Sequence, residues 1–191
     1  ITSAAAVVAT TLATPLVVRA SDQVWSDVEL CLGFDVSGSM PSGYLPDGRS
    51  HALVQKQGHQ SALEYSKIRQ ALVDQQAIVR IIAWSGKETQ LDLSDGGVLI
   101  RSDADVTALK RLIEDRVPLD KSLASGTVHY KLLQFVVGLE RTSSRLVLDV
   151  STDESPSNGK VCQRFRDEIS ALHGQVNALA IDKIGNTSVK S

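Results

Sequence analysis

The 191-residue sequence is poor in cysteine (two), proline (five) and aromatic residues (two Trp, three Tyr, three Phe). Two cysteines cannot make the disulfide framework of a small secreted scaffold. Five prolines, and thirteen glycines without a period, exclude proline-rich and collagen-like architectures. Charge of one sign is missing too. Twenty basic against 22 acidic residues give a net −2, which leaves no electrostatic footprint for a sequence-independent grip on nucleic acid. There is no repeat at solenoid spacing, no Gly-x-Ser-x-Gly elbow and no phosphate-binding Gly-rich loop. What remains, 42% hydrophobic and 22% charged, fits one globular domain with a sizeable core.

Residues 1–18 carry no charge, and Val18-Arg19-Ala20 places small residues where a signal peptidase reads. The alternative is a membrane anchor, but the run is rich in Ala and Thr, poor in Leu and interrupted by Pro15. The expectation is a leader remnant over 1–20, a domain over 21–191, and a periplasmic or secreted location. Cys31 falls in a core strand pattern and Cys162 in the first turn of a helix pattern, so two separate buried thiols are expected. At the far end a strand pattern, Val176 to Ile181, is followed by no helix pattern, so the fold is expected to be truncated there.

Alternation over Val28, Leu30, Leu32 and Phe34 predicts a strand ending at Asp35. A Ser-, Gly- and Pro-rich loop runs to about Arg49. Ser50 can cap a helix to about Tyr65, with Ala52, Leu53 and Ala62 inward, and Ser66 starts a shorter one with Ile68, Ala71 and Leu72 inward. Ala77–Trp84 reads as a strand returning in a hairpin over Thr89–Leu93. Ser102 or Asp103 caps a helix carrying Val106, Leu109, Leu112 and Ile113. Thr127 opens another with Leu132, Phe135 and Val136 inward. Arg145–Val150 is a strand. A final helix carries Val161, Phe165, Ile169 and Leu172 and stops at Gly174. Strands alternating with amphipathic helices predict an α/β fold, a mainly parallel sheet covered on both faces with one antiparallel edge strand. Ligands of such sheets bind at the carboxyl ends of the strands.

Three polar loops fall at that edge: Asp35-Val36-Ser37-Gly38-Ser39-Met40, Ser125-Gly126-Thr127 and Ser151-Thr152-Asp153-Glu154-Ser155. Their side chains offer only oxygen, which suits Mg²⁺ or Mn²⁺ rather than Zn²⁺. Gly38 lets the backbone curl so that Ser37 and Ser39 can both turn inward. Asp35 and Asp153 would balance a divalent charge, leaving a coordination position open to an outside acid.

Asp35-Val36-Ser37-Gly38-Ser39, followed in order by Thr127 and Asp153, resembles the metal-ion-dependent adhesion site of von Willebrand factor type A domains. The resemblance spans roughly residues 26–182. Trp84-Ser85-Gly86 and Leu148-Asp149-Val150-Ser151 carry a closer likeness to a secreted bacterial family of unknown function within that superfamily. It implies a Rossmann-like, three-layer, doubly wound domain. Ser37, Ser39 and Thr127 would lie nearest a Mg²⁺ or Mn²⁺ ion, with Asp35 and Asp153 acting directly or through water. A protein ligand would supply a Glu or Asp to the open position. Glu154 departs from the closer family, which more often has Gly there.

Two other classes compete. A metal-dependent hydrolase or phosphatase would use Asp35 as nucleophile, but that chemistry wants a second acid two residues on, where this chain has Ser37. His129 could act as a base, although a His there is more simply a solvated helix residue. His51 and His59, eight apart, read as surface or packing residues. A degenerate structural domain would bind no metal at all. The residues favour a non-enzymatic protein-binding module. Met40, beside the presumed ion, is left open between a partner contact and packing under the loop.

Overall fold

The computed structural model describes residues 26–120, 122–123, 126–141, 143–154 and 158–181. The predicted leader lies outside the described residues. Along the chain come β1 (Ser26–Asp35), α1 (Ser39–Ser42), α2 (His51–Glu64), α3 (Ser66–Asp74), β2 (Ile78–Trp84), β3 (Gln90–Asp92) and β4 (Val98–Leu99). They are followed by α4 (Asp103–Arg116), α5 (His129–Val137), β5 (Ser143–Thr152), α6 (Gly159–Ala171) and β6 (Gln175–Ala180). The sheet runs β3-β2-β1-β5-β6, with β4 also on β2. β1, β2, β5 and β6 are parallel. The antiparallel edge is made in two pieces, β3 against Ile82–Trp84 and β4 against Ile78–Val79. This is the predicted α/β architecture.

The chain leaves β1 toward β2 and its edge, then crosses to the other side of β1 for β5 and β6. The crevice where strand order reverses therefore opens at the carboxyl ends of β1 and β5, the place such sheets use for ligands. Register puts Phe34 beside Ser151. Asp35 and the residues after Ser151 thus emerge together.

Alternation along β1 divides two cores. Leu32 and Phe34, with Val79 and Ile81, pack beneath Leu63, Leu72, Val106, Leu109 and Ile113. Cys31, Ile82, Trp84, Leu146 and Leu148 pack on the other face against Leu132, Val136, Cys162, Phe165 and Ile169. Full burial of each large aliphatic side chain stabilises by about 1.5–3 kcal/mol. Both cysteines are buried thiols, as expected.

Several helices turn differently from the sequence reading. Ser50 does cap α2, its side chain accepting from the Leu53 N–H at 3.2 Å. The inward face, however, is His51, Ala52, Gln55, Lys56 and Leu63, and Ala62 is exposed. Polar side chains hold this face by hydrogen bonds alongside the apolar contacts of Ala52 and Leu63. Lys56 Nζ donates to the carbonyls of Glu114 and Val117, closing the carboxyl end of α4. In α3 only Leu72 is buried, while Ile68 and Ala71 face solvent. In α6 the inward stripe is Cys162, Phe165 and Ile169, and Val161 is exposed. Thr127 does not open α5, which begins at His129 after an N-cap of Val128.

Arg80 interrupts the apolar run of β2 and is buried. Its Nε donates to Glu29, its Nη1 to Asp92 at 3.0 Å and its Nη2 to the Glu140 carbonyl. Arg80→Met leaves the buried Glu29 without its cation and should cost about 3–5 kcal/mol in urea unfolding. Adding Glu29→Leu should recover part of that loss.

His59, also on α2, lies against Phe34 with ring centroids 4.4 Å apart and against Ser151 Oγ at 3.1 Å. Burial pushes its imidazole down to about 4 from the ordinary 6.5, with the Asp149 carboxylate opposing. Between those values the unfolded chain takes up a proton that the folded chain refuses. Stability should therefore fall as the pH drops through this window, by on the order of 1–3 kcal/mol. His59→Gln should flatten the fall, as read by urea unfolding across the same range.

Candidate functional site

β1 delivers Asp35 to the crevice with 1% of its surface exposed. The Val36 N–H is tied back to the Trp84 carbonyl at 2.9 Å, which fixes the start of the loop. Asp35 Oδ1 accepts from the Ser37 N–H at 2.9 Å, and Oδ2 accepts from Thr152 Oγ1 at 2.7 Å. The loop then winds into α1, where Ser42 Oγ donates to the Gly38 carbonyl and the Met40 N–H to the Ser37 carbonyl. This turn brings Ser37 Oγ within 3.1 Å of Ser39 Oγ. Ser39 Oγ donates in turn to Asp153 Oδ1 at 2.9 Å. The other oxygen of Asp153 lies 2.9 Å from His51 Nδ1. Because a carboxylate oxygen only accepts, Nδ1 is the donor.

Four of the five predicted site residues, Asp35, Ser37, Ser39 and Asp153, thus form one hydrogen-bonded group spanning the ends of β1 and β5. Thr127 arrives separately. Ser85, just past β2, receives the Val128 N–H on its carbonyl at 3.2 Å and donates its hydroxyl to the Gly126 carbonyl at 3.1 Å. These two bonds hold the Thr127 loop over the end of β2. Thr127 is 8% exposed, and its Oγ1 meets no hydrogen-bond partner among the described residues. A buried hydroxyl without a partner costs roughly 1–3 kcal/mol, so its lack of a partner among the described residues is a cost that a bound group would remove.

Two further residues of the cluster escaped the sequence reading. Thr152 was visible only as part of a polar loop, yet β5 extends through it and aims its hydroxyl at Asp35. His51 read as a surface or packing residue, but its side chain is 1% exposed and grips Asp153. Its place just after a helix cap carries no signal of this. His129, expected to be solvated, is buried with its ring 5.0 Å from that of Trp84, and burial lowers its pKa. Met40 is fully buried against Ala52 and Ile181, so it packs under the loop. Ser125 and Ser155 lie outside the described residues.

The donors suit a hard divalent cation: two carboxylates, three hydroxyls, and no sulfur. Among the described residues no group of three or more His, Cys, Asp and Glu side chains is arranged to hold a metal. Any cation here would depend on the hydroxyls. The charges point the same way. Burial raises the Asp35 carboxyl above the ordinary carboxylate range, bonds from Ser37 and Thr152 oppose this, and the nearby Asp153 charge adds to it. A cation between the two acids would relieve that repulsion.

Among the described residues no helix is long and apolar enough to cross a membrane. No curated protein matches the chain in sequence. Solved structures similar to it include proximal thread matrix protein 1 of the mussel byssus, at TM-score 0.57 and 14% identity over 82% of this chain and 38% of that one. The pilus adhesin SpaC from Lactobacillus rhamnosus GG aligns at 0.57 and 15% identity, over 81% of this chain and 24% of that one. A von Willebrand factor type A protein from Catenulispora acidiphila aligns at 0.50 and 14% identity, over 81% and 39%. At such identities the likeness is one of fold, a von Willebrand factor type A-like fold, and this chain spans well under half the length of each. The model of the family described as "Protein of unknown function (DUF1194)" matches residues 24–190, and the chain belongs to that family.

Proposed function

We propose that this chain is a divalent-cation-dependent protein-binding domain that works outside the cytoplasm, in the periplasm or as a secreted protein. Ser37, Ser39 and Thr127 would lie nearest a Mg²⁺ or Mn²⁺ ion, with Asp35 and Asp153 acting directly or through water. The bound cation would supply a Lewis-acidic point that takes a carboxylate oxygen from a Glu or Asp of a protein ligand. The chain's own part is to hold these oxygens in place. Asp35 orients Ser37 through its N–H, and Asp153 orients Ser39 through its hydroxyl. The observation that carries the reading is Thr127 Oγ1, buried at the carboxyl edge of the sheet and without a hydrogen-bond partner among the described residues. The adhesin among the similar folds is in keeping with a binding role. The uncharged segment 1–18 favours export. A hydrolytic role has less support, because Ser37 stands where a second acid would be needed.

Thr127→Val tests the reading with almost no change in shape. In metal-free protein this variant should match or slightly exceed the wild type in melting temperature, because an unsatisfied buried hydroxyl is removed. At about 100 times its Kd, Mn²⁺ should raise the wild-type melting temperature by roughly 5–10 °C. Thr127→Val and Asp35→Ala should lose most of that rise, and their calorimetric heats with Mg²⁺ or Mn²⁺ should shrink likewise. Heats equal to wild type in both variants would remove the site.

A further inference from the structure

We infer that His51 is the positioning residue for Asp153, and that α2 sets the geometry of the cation site through it. The inference rests on the metal-binding reading above. Asp153 lies past the end of β5 in a polar loop, where no described residue of its own segment hydrogen-bonds its carboxylate. Two contacts from other elements do so. Ser39 Oγ, on α1, holds Oδ1 at 2.9 Å, and His51 Nδ1, on α2, holds Oδ2 at 2.9 Å.

The His51 ring is itself fixed. It is the first residue of α2, behind the Ser50 cap, and its N–H donates to the Gly43 carbonyl at 3.0 Å. Gly43 is where α1 and α2 meet. A Cβ there would lie 2.6 Å from His51 Nδ1 and 2.7 Å from the Ser39 carbonyl oxygen. Only a residue without a side chain lets the two holders of Asp153 approach this closely. The His51 ring is therefore wedged between Gly43 and the carboxylate, while its Nε2 meets no partner among the described residues.

The same face of α2 continues the grip one and two turns on. Gln55 Nε2 donates to the Ser151 carbonyl at 2.9 Å, and His59 Nε2 lies 3.1 Å from Ser151 Oγ. Residues 51, 55 and 59 stand four apart, on one stripe of the helix. Of the three, only His51 reaches the carboxylate. The others hold the strand that carries it. Outer partners that orient a metal-binding carboxylate typically carry a 10–100-fold share of the affinity.

The experiment is Mn²⁺ titration by calorimetry on the whole chain, with urea unfolding of each variant alongside. His51→Ala should weaken Mn²⁺ binding about 10–100-fold. His51→Asn, whose amide nitrogen falls near the place of Nδ1, should return the affinity to within about threefold of wild type, while His51→Gln, whose donor falls one bond further out, should not. The Asn and Gln variants decide the matter even if His51→Ala does not fold. Gln55→Ala should lower stability yet change Mn²⁺ affinity by less than about threefold. If the wild type binds Mn²⁺ and His51→Ala or His51→Gln binds it equally well, or if Gln55→Ala loses as much affinity as His51→Ala, positioning by His51 is overturned and the cation site stands. A wild type that binds no Mn²⁺ overturns the cation site, and this inference with it.

Discussion

Asp35 ends the central strand with a carboxylate almost wholly removed from water, and the organisation of the crevice follows from how that charge is met. One oxygen fastens the loop that follows β1, through the Ser37 N–H. The other fastens the end of β5, through the Thr152 hydroxyl. A buried carboxylate is tolerable only with such bonds. Because these two come from both sides of the strand-order reversal, satisfying Asp35 also closes the crevice into one geometry. Ser37, Ser39 and Asp153 then follow as a connected series.

Buried polarity is met to different degrees around the sheet. Toward its amino end, Arg80 is matched on every side by Glu29, Asp92 and the Glu140 carbonyl. That set acts within the fold. At the carboxyl end the accounting is left open. Thr127 Oγ1, His51 Nε2 and both nitrogens of His129 are buried without hydrogen-bond partners among the described residues. The unmet hydroxyl and imidazole atoms at the carboxyl end lie where open α/β sheets bind ligands, while at the amino end Arg141 Nε, just before β5, also meets no partner among the described residues.

Fold likeness contributes less to this picture than the residues do. The similar structures share 14–15% identity with the chain, which spans between 24% and 39% of their lengths. One fold can carry many activities. The case for a cation therefore stands on the kinds of side chain gathered at one edge, their distances and the hydroxyl left unsatisfied.

Much of this was legible in the sequence. Period-two and helical patterns marked β1, β2, β5 and the alternation of strands and helices, because burial imposes those periods on local sequence. Asp35, Ser37, Ser39, Thr127 and Asp153 were visible in three polar loops between elements, and only their order, through its resemblance to a known metal site, singled them out. Contacts that depend on which surfaces meet were not legible. The inward face of α2 mixes Ala52 and Leu63 with hydrogen-bonded His51, Gln55 and Lys56, so hydrophobic periodicity found Ala52 but pointed to Ala62 and missed the polar members. In α6 Phe165 and Ile169 face inward as the pattern predicts, but the first turn buries Cys162 in place of Val161, since packing chooses between adjacent apolar positions there. Sequence alone thus determined the alternation of elements and the oxygen-rich residues at their ends. Only the tertiary structure decided that Thr152 would reach Asp35 from the neighbouring strand, and that His51 would reach Asp153 across a hundred residues of chain. Such contacts are set by strand register and helix docking, which no local pattern encodes.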